Sequence, residues 1–336
     1  MPHPSVSVAF ATSPSSPDDI ALAEHLGYER AWLYDTPQQS PDVWMTLALA
    51  AQRTESIGLG PGVLVPSLRH PMVNAAATRM LQGLAPGRVA VAFGTGFTGR
   101  AAMGLPPLTW SFMRRYLTAY QGLLRGEVVE WEGARMRMLP PEQHPQTPPA
   151  SPPILISALG PKGAEFARAT GADGLFSVGA PSAAMGEFGW AALLVGGTVL
   201  DDGESPDSPR VRDAAGPTWA ITYHYPYTAV GADSIRDIPG GREWLEIIEK
   251  TPEPDRHLAV HTGHLVRLNE ADTAAWEAGG SALVTRTTLT APTAGIRQAV
   301  SALADQGVTE IVYQPSGPNI RRELEVFIEA TGHVND

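Results

Sequence analysis

Short β-rich runs alternate with longer segments of helical period along most of the chain. Residues 5–11 predict a first strand, 17–26 a helix with Ser16 as N-cap and Gly27 just past its end, and 31–34 a second strand. The unit then repeats. Residues 42–53 are helical with an apolar face of Val43, Leu47, Ala50 and Ala51, 57–63 are a third strand, 72–83 a third helix and 88–93 a fourth strand. Strand-then-helix units at this density imply a parallel sheet. A helix over Trp110–Leu124 leads to a hairpin at 128–138 that turns at Gly133, then to a proline-rich loop over 140–153. The rhythm resumes with a strand at Ile154–Ser157, a helix over 162–170 and a sixth strand at Gly174–Val178. Between 181 and 217 the pattern loosens around the polar run DDGESPDSP. Residues 218–225 predict the seventh strand, 237–288 carry helical patterns outside any one strand-helix unit, 292–306 a helix, and 308–314 the eighth strand. The sum is one (β/α)8 TIM barrel over 1–336, with irregular insertions at about 181–217 and 237–288 at its C-terminal face, where such barrels carry their chemistry. A doubly wound open sheet is the alternative.

Composition narrows the class. A chain of 336 residues with 43% hydrophobic content can bury a substantial core. With no cysteine, disulfides, thiolate metal sites and cysteine nucleophiles are excluded. The first residues lack a signal pattern and no apolar run reaches spanning length, so the expected location is the cytoplasm. A net charge of -11 without long blocks argues against nucleic acid and anionic membrane surfaces. An anionic cofactor must then be caught by local groups.

Three segments carry candidate chemistry. In IGLGPGVLVPSLRHP (57–71), Gly60 and Gly62 bracket Pro61 at the end of an apolar strand that opens into Arg69, His70 and Pro71. Such a strand end suits a bulge or unusual peptide against which a flat ligand can lie. Residues 94–99 match G-x-G-x-x-G, but Gly104, Pro106 and Pro107 interrupt the helix that should follow, and no acidic residue between Gly99 and Glu127 could hold a ribose. The dinucleotide reading fails, leaving a loop rich in backbone N–H groups. Gly160, Pro161 and Lys162 stand where the fifth strand meets its helix, a position suited to an anion, and Lys162 is one of only two lysines.

The segments AEHLGYERAWLYD (23–35), 57–71, GRVAVAFGTG (87–96), PPILISALGPKGAEFARATGADGLF (152–176) and GVTEIVYQPSGPNIRRELEVF (307–327) together resemble the bacterial luciferase-like family of TIM-barrel oxidoreductases over nearly the whole chain. The resemblance implies either coenzyme F420 or reduced FMN with oxygen. Several F420 members carry a non-proline cis peptide at the end of the third strand, against the middle ring of the deazaflavin, and Gly62 and Val63 match it. The same resemblance puts the cofactor phosphate near Gly160, Pro161, Lys162 and Gly179, with Thr95 and Gly96 flanking the ring. Many F420 members have Asp-His after the second strand, whereas Thr36 follows Asp35 here, and a hydroxyl cannot serve as a proton donor near neutrality. Asp35 is the catalytic candidate, or a cap on loop amides.

His257, His261 and His264, spaced four and three apart, could ligate a metal or face an active site. A lid that brings His261 or His264 to the substrate is preferred, without zinc. His70 is read as a contact to the cofactor tail or a loop organiser, and His224, Tyr225 and Tyr227 as pocket lining at the end of the seventh strand. The expected function is hydride transfer between F420 and a small organic substrate. The alternatives are a two-component FMN-dependent monooxygenase served by a separate reductase, and a catalytically silent flavin binder. The resemblance also implies a homodimer.

Overall fold

In the computed structural model, which describes residues 3–139 and 151–332, eight parallel strands form a ring. The barrel strands are β1 (Ser5–Phe10), β2 (Arg30–Leu33), β3 (Gly58–Pro61), β4 (Val91–Phe93), β5 (Ile154–Ser157), β6 (Gly174–Val178), β7 (Trp190–Gly196) and β8 (Glu310–Gln314). Neighbours pair in parallel around the ring, with β1 beside β8, and parallel bridges Leu59–Val89 and Leu64–Phe93 join β3 to β4. A closed parallel barrel is therefore formed, and the open-sheet alternative fails.

The barrel interior is filled by large rings set against small side chains. Trp32 meets Phe176 edge to face at 5.4 Å, with Ala9, Ala90, Ala92 and Ala192 in the same buried cluster. At the strand starts, buried Glu310 accepts from Trp32 Nε1–H at 3.0 Å and from Trp190 Nε1–H, and the Arg30 guanidinium lies over both indoles at 5.3 and 5.1 Å. This knot closes the N-terminal end, so an opening of useful size lies at the other.

Two sequence expectations are corrected. The seventh strand is Trp190–Gly196, inside the segment read as a loose insertion, and residues 218–225 are helical. WAALLVG is buried along its length after Trp190, and a continuous apolar run has no alternation to distinguish it from other buried structure. Residues 218–225 straddle the helices Pro209–Trp219 and Ile221–Ala229. Their β-like composition hides an i, i+4 pair, Trp219 and Tyr223, whose rings pack at 5.0 Å, and Pro217 and Pro226 are both accommodated inside helices. The expected hairpin forms at Val129–Trp131 and Ala134–Met136, whereas the proline-rich loop falls mostly outside the described residues.

The insertion is thus a single excursion over 197–292, between β7 and the helix Thr293–Asp305. It builds its own apolar core from Trp219, Tyr223, Trp244 and Trp276. Arg210 ties it to the barrel: its guanidinium donates to Glu204 Oε1 at 2.8 Å, to Thr198 Oγ1 at 2.9 Å and to Glu323 Oε1 at 3.1 Å, Glu323 being buried on the last helix, Ile320–Thr331. The hydrogen bonds from Arg210 hold the Glu204 carboxyl down at about 2, so its contribution to stability is complete above the ordinary value of 4.5 and is lost as pH falls through about 2. Arg210→Ala is expected to cost about 2 kcal/mol, the scale of lost charged hydrogen bonds. An unchanged urea midpoint would show that the anchor carries no load.

Candidate functional site

A cavity of about 530 Å³ lies at the C-terminal ends of the strands, roofed by the insertion. Its lining is mostly apolar side chain and backbone, the character of a small-molecule site. Ile221, His224, Tyr225, His261 and His264 come from the insertion, and the ring of Tyr225 packs at 4.9 Å against Phe97 of the loop after β4.

One wall is the end of β3. The Gly62–Val63 peptide is cis, as the resemblance implied, and both residues line the cavity. The glycines there are required by close packing. Neither Gly60 nor Gly62 has a positive φ, but a Cβ on Gly60 would lie 2.0 Å from the Ala90 carbonyl oxygen, and one on Gly62 would lie 2.9 Å from Trp32 Cβ. The expected freedom of angle at this strand end is therefore not what the structure uses. Thr95 and Gly96 line the cavity from the next strand, and Gly96, at φ 78°, starts the short helix Phe97–Ala101. A helix of five residues confirms that the G-x-G-x-x-G match is no dinucleotide fingerprint.

Asp35 also lines the cavity, yet both carboxylate oxygens are engaged. Arg69 Nη1 donates to them at 2.7 and 2.8 Å, and Val65 N–H donates at 3.2 Å. Arg69 continues to Asp42 through Nη2 at 2.6 Å, and Asp42 caps the helix Val43–Ala51. Burial pushes the Asp35 carboxyl up and Arg69 opposes that rise; for Arg69, burial is outweighed by its two carboxylates, which raise its pKa further. Asp35 clamps the loop after β3 in place. Three of the roughly four acceptor sites of its carboxylate are thus used inside the protein, which suits a positioning role for this catalytic candidate. Thr36 lines the cavity with its hydroxyl on Ser40 at 3.0 Å. His70 lies outside, capping the helix Pro71–Leu84 by accepting from Met72 N–H at 3.1 Å.

A further part of the lining comes from the end of β5. Gly160, Pro161 and Lys162 line the cavity where the helix Pro161–Thr170 begins, with no side chain capping its first turn. Amides left free at such a terminus favour an anion, and exposed Lys162 adds charge. Gly179 is not among the residues that line the cavity; it follows Val178, which does, and takes a left-handed conformation at φ 75° just after β6.

Three buried imidazoles come together in the lining of the same cavity. His224 Nδ1 lies 2.8 Å from His264 Nδ1, and His224 Nε2 lies 2.8 Å from Asp272 Oδ1. Asp272 also accepts from Trp244 Nε1–H at 2.8 Å and from Asn269 N–H at 3.1 Å in a capping box. A carboxylate only accepts, so His224 Nε2 carries a hydrogen and donates to Asp272, while one hydrogen lies between the two Nδ1 atoms. Burial lowers His264 well below its ordinary range and, with nearby histidines, lowers His261 to about 4. His261 Nδ1 is buried with no hydrogen-bond partner.

His261 and His264 are thus brought to the cavity as expected of a lid, whereas His257 is not part of the cluster. His224 arrives on a helix, not at a strand end. Asp272 was not anticipated. Its capping-box spacing after Asn269 was visible in the sequence, but a cap is an ordinary helix signal and says nothing of a histidine 48 residues away.

A family profile described as luciferase-like monooxygenase matches residues 18–191, just over half of the chain. The 5,10-methylenetetrahydromethanopterin reductase of Methanolobus tindarius is 31% identical over 150 residues, 44% of this chain and 44% of its own length. An F420-dependent glucose-6-phosphate dehydrogenase of Intrasporangium calvum is 30% identical over 171 residues, 46% of this chain and 51% of its own length. The chain thus spans about half the length of the curated relatives it matches. The crystal structure of the coenzyme F420 dependent tetrahydromethanopterin reductase from Methanopyrus kandleri superposes with a TM-score of 0.70 over 99% of this chain and 100% of that one; at 18% identity it shows the shared fold alone.

Proposed function

The chain belongs to the luciferase-like monooxygenase family, and on that footing we propose that it is an F420-dependent oxidoreductase that moves a hydride between the deazaflavin C5 and a small organic substrate. The observation that carries the reading is one mostly apolar cavity lined both by the strand end at Gly62 and Val63 and by the uncapped helix start with Lys162. That combination suits a flat ring with an anionic tail. The relative of Intrasporangium calvum, named for F420, supports this cofactor.

The residues present fit such a group. Gly62 and Val63 would back the ring, Thr95 and Gly96 would flank it, and Gly160, Pro161 and Lys162 would meet the phosphate. Bound F420 supplies a two-electron hydride carrier at its C5. The protein's own part is to exclude water with the apolar walls, to keep the loop after β3 in register through Asp35 and Arg69, and to present polar groups to the substrate. With Thr36 where the family often has histidine, those groups are His261 and His264, which line the same cavity as Gly62 and Val63.

Separate titrations with F420 and FMN test the cofactor. F420 binding is expected, and micromolar FMN binding without F420 binding would overturn the reading in favour of a monooxygenase served by a separate reductase. Lys162→Ala is expected to weaken F420 binding by about 1–3 kcal/mol, the scale of a lost charged hydrogen bond. Unchanged affinity would remove Lys162 from the site.

A further inference from the structure

Three buried imidazoles gathered beside one cavity form an unusual arrangement. One ring nitrogen of each of His224, His261 and His264 lies within 4.8 Å of the others, all three residues are buried, and all three line the cavity. Among the described residues no other group of three histidines or carboxylates converges in this way. The hydrogen bond between His224 and His264 accounts for two of the nitrogens, but His261 Nδ1 has no partner. A buried polar atom without a partner costs free energy unless something outside the protein's own atoms fills the gap.

We propose that His224, His261 and His264 bind a divalent transition ion of the zinc class. Imidazole is the preferred neutral ligand for such ions, and three histidines with a fourth position open to a cavity are the arrangement of a reactive rather than a closed structural site. Tetrahedral bonds of 2.0–2.1 Å put ligand nitrogens about 3.3–3.4 Å apart. The His224–His264 pair at 2.8 Å lies inside that spacing and the ligand atoms all lie within 4.8 Å of one another, so side-chain rotations reach bonding geometry once the hydrogen between the two Nδ1 atoms has moved to His264 Nε2 or to solvent. Asp272 supplies the carboxylate behind a metal-bound histidine: by accepting from His224 Nε2 it fixes the tautomer that turns the Nδ1 lone pair toward the other two rings. Trp244 and the Asn269 capping box hold that carboxylate in turn.

The cavity supplies the fourth ligand. Water or the carbonyl or hydroxyl oxygen of a substrate fits there, in the cavity that Gly62 and Val63 also line. This part of the inference rests on the hydride-transfer reading above, whereas metal binding does not. The earlier preference for a lid without zinc came from His257, His261 and His264 alone, and the third ligand is supplied by a different helix.

The test uses the whole protein, stripped with a chelator and then titrated with Co2+. About one equivalent is expected to bind per chain with visible d–d absorption of tetrahedral character, to be displaced by Zn2+, and Zn2+ is expected to raise the melting temperature. His261→Gln removes a side chain whose Nδ1 bonds to nothing, so it costs the fold least, and it should abolish the absorption and the thermal shift. Asp272→Asn should weaken binding about 10–100-fold. Absence of the absorption in the wild type, or absorption that survives His261→Gln, would overturn the site and leave a chain of hydrogen-bonded imidazoles. F420 affinity measured on the stripped protein separates the two ideas: a Co2+ spectrum without F420 binding sinks the cofactor reading alone, and F420 binding without a Co2+ spectrum sinks the metal site alone.

Discussion

Arg69→Ala is expected to destabilise the protein by about 3–5 kcal/mol, the cost of leaving a buried carboxylate without its partner. The side chain of Asp35 is 1% exposed and that of Arg69 13%, so water cannot replace the lost guanidinium. The damage should extend beyond one contact. Asp35 also holds Val65 N–H, and Arg69 also holds the Asp42 cap, so the loop after β3 and the start of Val43–Ala51 are both released. Urea unfolding of wild type and variant measures the loss. The double variant Asp35→Asn, Arg69→Met removes both charges and should recover part of it, which separates the unpaired charge from lost packing. A loss below 1 kcal/mol would mean that the pair is solvated and that Asp35 is free for other work.

Turnover should collapse when His261 and His264 are both replaced by alanine. With Thr36 unable to exchange protons near neutrality and Asp35 held by Arg69, these two are imidazoles that the insertion brings to the cavity beside His224. Loss of about 10²-fold or more in kcat is expected, whether they act on protons or through a bound ion. F420 affinity should change little, because Lys162, Gly62 and Val63 are untouched. Oxidation of reduced F420 against a panel of carbonyls, imines and nitroaromatics reads the first quantity and a binding titration the second. Turnover at the wild-type rate would remove the histidines from the reaction.

Most of the barrel was legible because its signal is local. The helix Trp110–Leu124 and the strands Ile154–Ser157 and Gly174–Val178 carry their own periods, caps and breakers, and they form as read. The exception, Trp190–Gly196, is a run buried on both faces, where periodicity vanishes. The helical nature of residues 218–225 was hidden for the opposite reason. A bulky aromatic pair suits a strand by composition, and only packing against Trp244 and Trp276 makes the four-residue spacing of Trp219 and Tyr223 the one that counts.

The candidate site divides in the same way. The sequence alone determined the barrel, the odd strand end at Gly62 and Val63 and the lysine at a helix start, since each is written in neighbouring residues. Tertiary structure decided that Gly60 and Gly62 answer to Ala90 and Trp32 rather than to their own torsions, and that Asp35 pairs with Arg69. It also joined His224 to His264 and to Asp272, 40 and 48 residues further along the chain. Such contacts depend on where a helical insertion folds back over a barrel mouth. No local period encodes that distance, so the ligand cluster exists only once the insertion has packed.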